Sequence, residues 1–234
     1  MIKAVFFDLD GTLLPMDEDL FIKYYIGNMA KKFVGSELSA EKLPTGIFSG
    51  LKAMFKNTGE KTNEEVFWHV FNGVLGRDCR VDDEKFMDYY RNEFQLVAQD
   101  CGFDPRAAES VSEIKALGNR VALATNPLFP AIATQSRAKW AGLNPEDFEI
   151  ITTYENSRHC KPNPDYYRDI LATLNLKPEN CVMVGNDVQE DMIAETLGMK
   201  VFLLTDCLIN RTGEDISRYP HGSFGELMDF IREL

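Results

Sequence analysis

From about Cys101 onward, short apolar runs alternate with longer amphipathic stretches, and that alternation restricts the fold more than any other feature of the chain. Residues 121–125, 149–153, 181–185 and 200–205 are short and largely apolar, the signature of buried strands. Residues 105–117, 129–141, 164–174 and 189–197 read as helices. Pro105 and Pro164 stand in first turns, and Gly118, Gly142 and Gly198 stand just past the ends. A last helix is predicted over 224–234. Parallel strands need crossover connections, so this pattern specifies an α/β chain: a Rossmann-like parallel sheet with helices on both faces. Right-handed crossovers then bring every strand's carboxyl end to one edge, where open α/β sheets bind ligands.

The first strand of that sheet stands at the N-terminus, at Ala4–Phe7, and it ends in Asp8-Leu9-Asp10-Gly11-Thr12. In extended backbone Asp8 and Asp10 leave the same face. Two carboxylates so placed resist ionising unless a cation sits between them. Mg2+ suits the arrangement, since it takes oxygen ligands and is usually held by one or two carboxylates plus a substrate phosphate. Gly11 permits a steep turn that could aim backbone amides at an anion, and Thr12 offers a hydroxyl.

Residues 16–99 contain no convincing strand. Apolar residues recur there at helical spacing, at Leu20, Tyr24, Ile26 and Met29, at Val66, Val70 and Val74, and at Phe86, Tyr89, Tyr90 and Phe94. Loop signals separate these stretches at Gly35-Ser36, Pro44-Thr45-Gly46, Asn57-Thr58-Gly59 and Gly76-Arg77-Asp78. The expected organisation is an α/β core of residues 1–15 and 100–234, with residues 16–99 as an all-helical insertion placed to cover the catalytic edge or simply to add packing bulk.

Three further strand ends carry candidate chemistry. Thr125 can donate its hydroxyl and a neighbouring amide to a phosphoryl oxygen, with Asn126 beside it. Lys161 sits where Pro162 and Pro164 stiffen the chain before a helix, so a fixed ammonium could hold Asp8 ionised and neutralise phosphoryl charge. After the strand 181–185, Asp187 can complete a metal site, and Asp191, one helical turn later, can orient Lys161 or a metal-bound water.

Together these four segments resemble, in order, the four motifs of the haloacid dehalogenase superfamily in its phosphatase and phosphomutase form, with a helical cap between the first and second. The resemblance implies that Asp8 is the nucleophile that forms an aspartyl phosphate, Asp10 the general acid and base, and Thr125 and Lys161 the phosphate cradle. It implies Mg2+ held by Asp8, the Asp10 backbone carbonyl and Asp187. Asn186 is a departure, since many relatives carry an aspartate there. Either Asp187 takes the metal, as favoured by its ionised carboxylate, or Asn186 holds the ligand position and weakens the site. Asp10 separates this chain from branches that cleave carbon–halogen bonds, which lack that acid. The reaction implied is hydrolysis of a small phosphorylated metabolite; the alternatives are a phosphomutase of the β-phosphoglucomutase type and a non-catalytic binding or regulatory protein.

A net charge of -12 argues against a nucleic-acid partner. The five cysteines are scattered and odd in number, which suits reduced thiols in a cytoplasmic protein. No apolar stretch approaches membrane-spanning length, and the first strand leaves no room for a cleavable signal. Monomer and homodimer are both open. Lysines at 23, 31, 32, 42, 52, 56 and 61 against Glu37, Glu41 and Glu60 either attract an anionic substrate or form a solvated face. Arg158 and His159 stand beside Lys161, where they could touch substrate or serve only as hydrogen-bonding neighbours.

Overall fold

A computed structural model describes residues 1–34 and 42–234. In chain order the elements are β1 (Ala4–Phe7), α1 (Glu18–Lys32), α2 (Lys42–Phe55), α3 (Asn63–Leu75), α4 (Asp83–Arg91), α5 (Pro105–Ala116), β2 (Arg120–Leu123), α6 (Ala131–Trp140), α7 (Pro164–Leu174), β3 (Cys181–Gly185), β4 (Lys200–Leu204), β5 (His221–Gly222) and α8 (Phe224–Arg232). The sheet is parallel throughout, in the order β2-β1-β3-β4-β5. Phe7 is level with Leu123 on one side and Val184 on the other. Asp8 therefore leaves the middle of the carboxyl edge, between the two strands that carry the second and fourth motifs.

Alternation along β1 divides the core into two layers. Val5 and Phe7 pack with Val111 and Ile114 of α5 and Leu227 and Ile231 of α8. Ala4 and Phe6 point the other way, onto Tyr167, Ile170 and Leu171 of α7. Helices thus cover both faces. A separate cluster holds the helical segment together through Phe21, Tyr25, Trp68, Phe71, Phe86, Tyr89 and Phe94, reaching Phe129 and Ala133 of the α/β portion.

Several expected elements differ from those observed. Residues 149–153 follow β2 through Glu149 N–Val121 O, Leu123 N–Ile150 O and Thr152 N–Leu123 O, yet form only a single bridge at Ile151. The Tyr154 amide, the next donor of such a ladder, goes to the Phe129 carbonyl, and the Thr125 carbonyl that would have received it is taken by the Thr152 and Tyr166 hydroxyls. Residues 189–197 give turns and then a short 3-10 helix, Met192–Leu197. There Asp187 and Asp191 spend carboxylate oxygens on the amides of Gln189, Glu190 and Asp187, closing local turns instead of an α-helix. Pro44-Thr45-Gly46 lies inside α2, where proline is tolerated in the first turn and a side chain on Gly46 would press on Phe71. In α1 the buried face is Phe21, Tyr25, Ile26 and Met29, with Leu20 and Tyr24 exposed; in α3 it is Trp68 and Phe71, not the valines. Phe21, Tyr25, Trp68 and Phe71 meet other rings of the helical segment, contacts that a valine stripe cannot make. Gly35-Ser36, Glu37 and Glu41 lie outside the described residues.

Candidate active site

β1 ends at Phe7, and a tight turn follows in which Gly11 adopts φ +78°. A side chain on Gly11 would begin 2.3 Å from Asn186 Nδ2, so glycine satisfies both the backbone and the close approach. Two amides of this turn are already used, the Gly11 amide donating to the Leu14 carbonyl and the Thr12 amide to the Leu9 carbonyl, so neither of these two is free to meet an anion. Thr12 contributes its hydroxyl instead, 3.1 Å from Asp8 Oδ2 and 2.8 Å from Asn186 Oδ1.

Asp8 is buried, and its Oδ1 accepts from Lys161 Nζ at 2.8 Å. The same ammonium donates to Asp191 Oδ1 at 2.7 Å. Burial alone would pull the Lys161 pKa down, but Asp191 and Asp8 outweigh it and hold the ammonium well above the ordinary lysine value. Asp191 also receives the Asp187 amide at 3.0 Å, so one carboxylate fixes both the lysine and the fourth strand end.

Asp10 opens onto the same cavity as Asp8, although both lie beyond the end of β1. Its Oδ2 is ion-paired with Arg137, while Oδ1 has no hydrogen-bond partner. Burial raises the Asp10 carboxyl above the ordinary aspartate value against the pull of Arg137. Thr125 is buried on the cavity wall, and its carbonyl accepts from Thr152 Oγ1 at 2.6 Å and Tyr166 Oη at 2.9 Å, which fixes the end of the second motif. Asn126 Nδ2 donates to Glu190 Oε2 at 2.8 Å, and Asn126 Oδ1 is a buried acceptor without a partner.

Asn186 and Asp187 both line the cavity, but they are bound differently. Asn186 Nδ2 donates to the Cys207 carbonyl at 2.7 Å, and its Oδ1 faces Thr12. Asp187 Oδ1 accepts the Gln189 and Glu190 amides at 2.9 and 3.0 Å, and Oδ2 is ion-paired with Arg211. Arg211 also reaches Glu18 at the start of α1, 3.4 Å away. Burial pushes both Glu18 and Glu190 up to about 7.

The cavity measures about 190 Å³ and is lined by carboxylates together with the apolar side chains of Met16, Phe21, Ile22, Phe55, Leu128 and Phe129. None of the cap lysines lines it; Lys32, for example, pairs with Asp88 and Glu93. His159 bonds Asp169 at 2.8 Å and Arg158 the Gly59 carbonyl at 3.4 Å, so neither meets the cavity. Sequence reasoning missed Glu18, Arg137, Glu190 and Arg211. Arg137 had one usable signal, a charge on the same helical face as Ala133, Thr134 and Ala138. Arg211 had none, since it stands in an irregular segment after β4.

The model for haloacid dehalogenase-like hydrolases matches residues 2–194. The chain belongs to the haloacid dehalogenase-like hydrolases. It is 25% identical to the glyceraldehyde 3-phosphate phosphatase of Methanocaldococcus jannaschii over 237 residues, covering 100% of this chain and 99% of that protein. The pyrophosphatase PpaX of Bacillus cereus is 25% identical over 199 residues, 85% of this chain and 81% of that protein. A haloacid dehalogenase-type phosphatase from Thermococcus onnurineus has the same fold, with a TM-score of 0.59 at 20% identity and 98% of each chain covered. This haloacid dehalogenase-like chain is accordingly a hydrolase. Among the described residues no helix is long and apolar enough to cross a membrane, and the five cysteines are free.

Proposed function

We propose that the chain hydrolyses a small phosphate monoester through an aspartyl phosphate on Asp8. The observation that carries this reading is the clamping of the Asp8 carboxylate between Lys161 Nζ and Thr12 Oγ1, with Asp10 opening onto the same cavity. A carboxylate held in this way is fixed in direction beside a cation, as a nucleophile needs. Asp8 attacks phosphorus, and Asp10 protonates the departing alkoxide. Water then hydrolyses the acyl phosphate, with Asp10 taking its proton. Lys161 faces the phosphoryl charge throughout, and Thr125 offers a hydroxyl at the cavity wall.

The donor set fits Mg2+. Oxygen ligands predominate, carboxylates outnumber the cations Lys161, Arg137 and Arg211 around the cavity, and Asp8 and Asp187 line it from neighbouring strand ends. That is the sparse arrangement Mg2+ accepts when substrate supplies further oxygens. Asp8, the Asp10 backbone carbonyl and Asp187 would hold it. When bound, the ion would neutralise phosphoryl oxygens. Asp187 must release Arg211 to serve, and the half-exposed guanidinium has room to leave.

Residues 16–99 act in this reading as a lid over the core of residues 1–15 and 100–234. Met16, Glu18, Phe21, Ile22 and Phe55 supply one wall of the cavity, which supports the assignment. The test is phosphate release from a panel of phosphorylated metabolites and an aryl phosphate, with and without Mg2+, beside Asp8→Asn. Release by the parent and loss of turnover in a folded Asp8→Asn is expected. More than a few per cent of parental turnover in that variant refutes the covalent mechanism.

A further inference from the structure

We infer that Arg137 is a positioning residue that aims the Asp10 carboxyl at the leaving group, an inference that rests on the phosphatase reading above. Arg137 lies on α6, outside every motif identified in the sequence, and its side chain is fully buried. One guanidinium nitrogen, Nη1, is ion-paired with Asp10 Oδ2. Another, Nη2, donates to Thr134 Oγ1 at 3.3 Å. The guanidinium carbon stands 4.3 Å from the Phe129 ring centroid and 5.7 Å from that of Phe21. A carboxylate, a hydroxyl and two aromatic rings thus fix its plane, a geometry that suits a guanidinium and not an ammonium.

Burying an arginine is costly unless it is paired, and removing one member of such a pair leaves an uncompensated charge. The neighbouring buried positions of α6 are small, at Ala133, Thr134 and Ala138, which leaves space for the long side chain to reach the cavity. The consequence for Asp10 is asymmetric. Oδ2 is committed to the guanidinium, and Oδ1 is buried with no partner in the protein, so the guanidinium is the hydrogen-bonding partner that sets the direction of the carboxyl. Holding one oxygen fixes the direction of the other.

In the first half-reaction an Asp8 oxygen forms a bond to phosphorus while the bond from phosphorus to the leaving oxygen breaks. The electron pair of that bond goes to the leaving oxygen, which takes the proton from the Asp10 carboxyl. The charge left on Asp10 then faces the Arg137 cation. No further reactant is required.

An ester whose leaving group needs a proton must feel the loss of Arg137, and one whose leaving group departs as a stable anion must not. The experiment compares kcat/KM for p-nitrophenyl phosphate with that for the primary alkyl phosphate the parent hydrolyses best, both with Mg2+. The proteins are the parent, Arg137→Met, Arg137→Lys, Asp10→Asn and Asp10→Asn with Arg137→Met. Arg137→Met is expected to lower the alkyl value by about 100-fold or more and the aryl value by less than about tenfold, the span of general-acid catalysis. It is expected to add little to Asp10→Asn. If Arg137→Met does not fold, Arg137→Lys carries the same comparison, because it keeps the buried charge while losing the fork. Equal losses on the two esters in a variant that melts like the parent would overturn the inference. An inactive parent on both esters would instead overturn the phosphatase reading beneath it.

Discussion

Lys161→Met removes the charge at the centre of the site while keeping a long, flexible apolar stem in its place. Nζ lies 2.8 Å from Asp8 Oδ1 and 2.7 Å from Asp191 Oδ1, so those two oxygens are no more than about 5.5 Å apart. At an effective dielectric constant of about 20, two unit charges at that separation repel by roughly 3 kcal/mol once the ammonium is gone. Loss of a partner from other buried ion pairs costs about 3–5 kcal/mol, in the same range. The deficit must depend on pH. Burial lifts the Asp191 carboxyl to about 7 even with Lys161 opposing it, and without Lys161 it rises further. A carboxyl raised above its unfolded value contributes fully at low pH, and its contribution is lost as pH rises through the folded value. Lys161→Met is therefore expected to be less stable than the parent near pH 8 by at most about 3 kcal/mol, since uptake of a proton by Asp191 relieves part of the repulsion, with a smaller gap near pH 5.5, where a proton replaces the ammonium between the carboxylates. Urea denaturation in metal-free buffer at both pH values measures this directly. A gap that stays constant between them, or one below about 1 kcal/mol near pH 8, would show that the two carboxylates do not interact as the geometry requires.

Other perturbations address other parts of the site. Gly11→Ala places a side chain at φ +78° and against Asn186, and should destabilise the protein by at least about 1–2 kcal/mol in the same denaturation assay; no measurable change would contradict the turn geometry. Asp187→Ala should raise the Mg2+ concentration for half-maximal phosphate release, whereas Arg211→Gln should lower it by removing the guanidinium that competes for Asp187 Oδ2. If Asn186→Ala produces the rise instead, the ligand is Asn186. Burial pushes the Cys160 thiol up to about 12, so iodoacetamide near pH 8 should modify it far more slowly than the partly exposed Cys207, and equal rates by mass spectrometry would refute that environment.

Much of the α/β frame was legible because its signals are local. Ala4–Phe7, Pro164–Leu174 and Cys181–Gly185 have the bounds their patterns predict, since continuous apolar runs, prolines and N-capping side chains act within a few residues. The order of the four motif segments placed Asp8, Asp10, Thr125, Lys161 and Asp187 at strand ends, and the parallel sheet brings Asp8, Asp10, Thr125 and Asp187 to one cavity wall, with Lys161 bonded to Asp8. The helical segment was less legible. Its apolar residues are dense enough to offer two stripes, and only contact with other helices selected Phe21, Tyr25, Trp68 and Phe71 for burial.

What the sequence determined by itself was the parallel α/β arrangement and the chemical types of side chain available at its carboxyl edge, because strand periodicity and turn residues depend on near neighbours in the chain. Tertiary structure alone decided which partner each of those side chains took. Arg137 reaches Asp10 across 127 positions, Lys161 reaches Asp8 across 153, and Glu18 reaches Arg211 across 193. The strength of such pairs depends on distance and on exclusion of water, and both are set only when the sheet, α6 and the helical segment have packed.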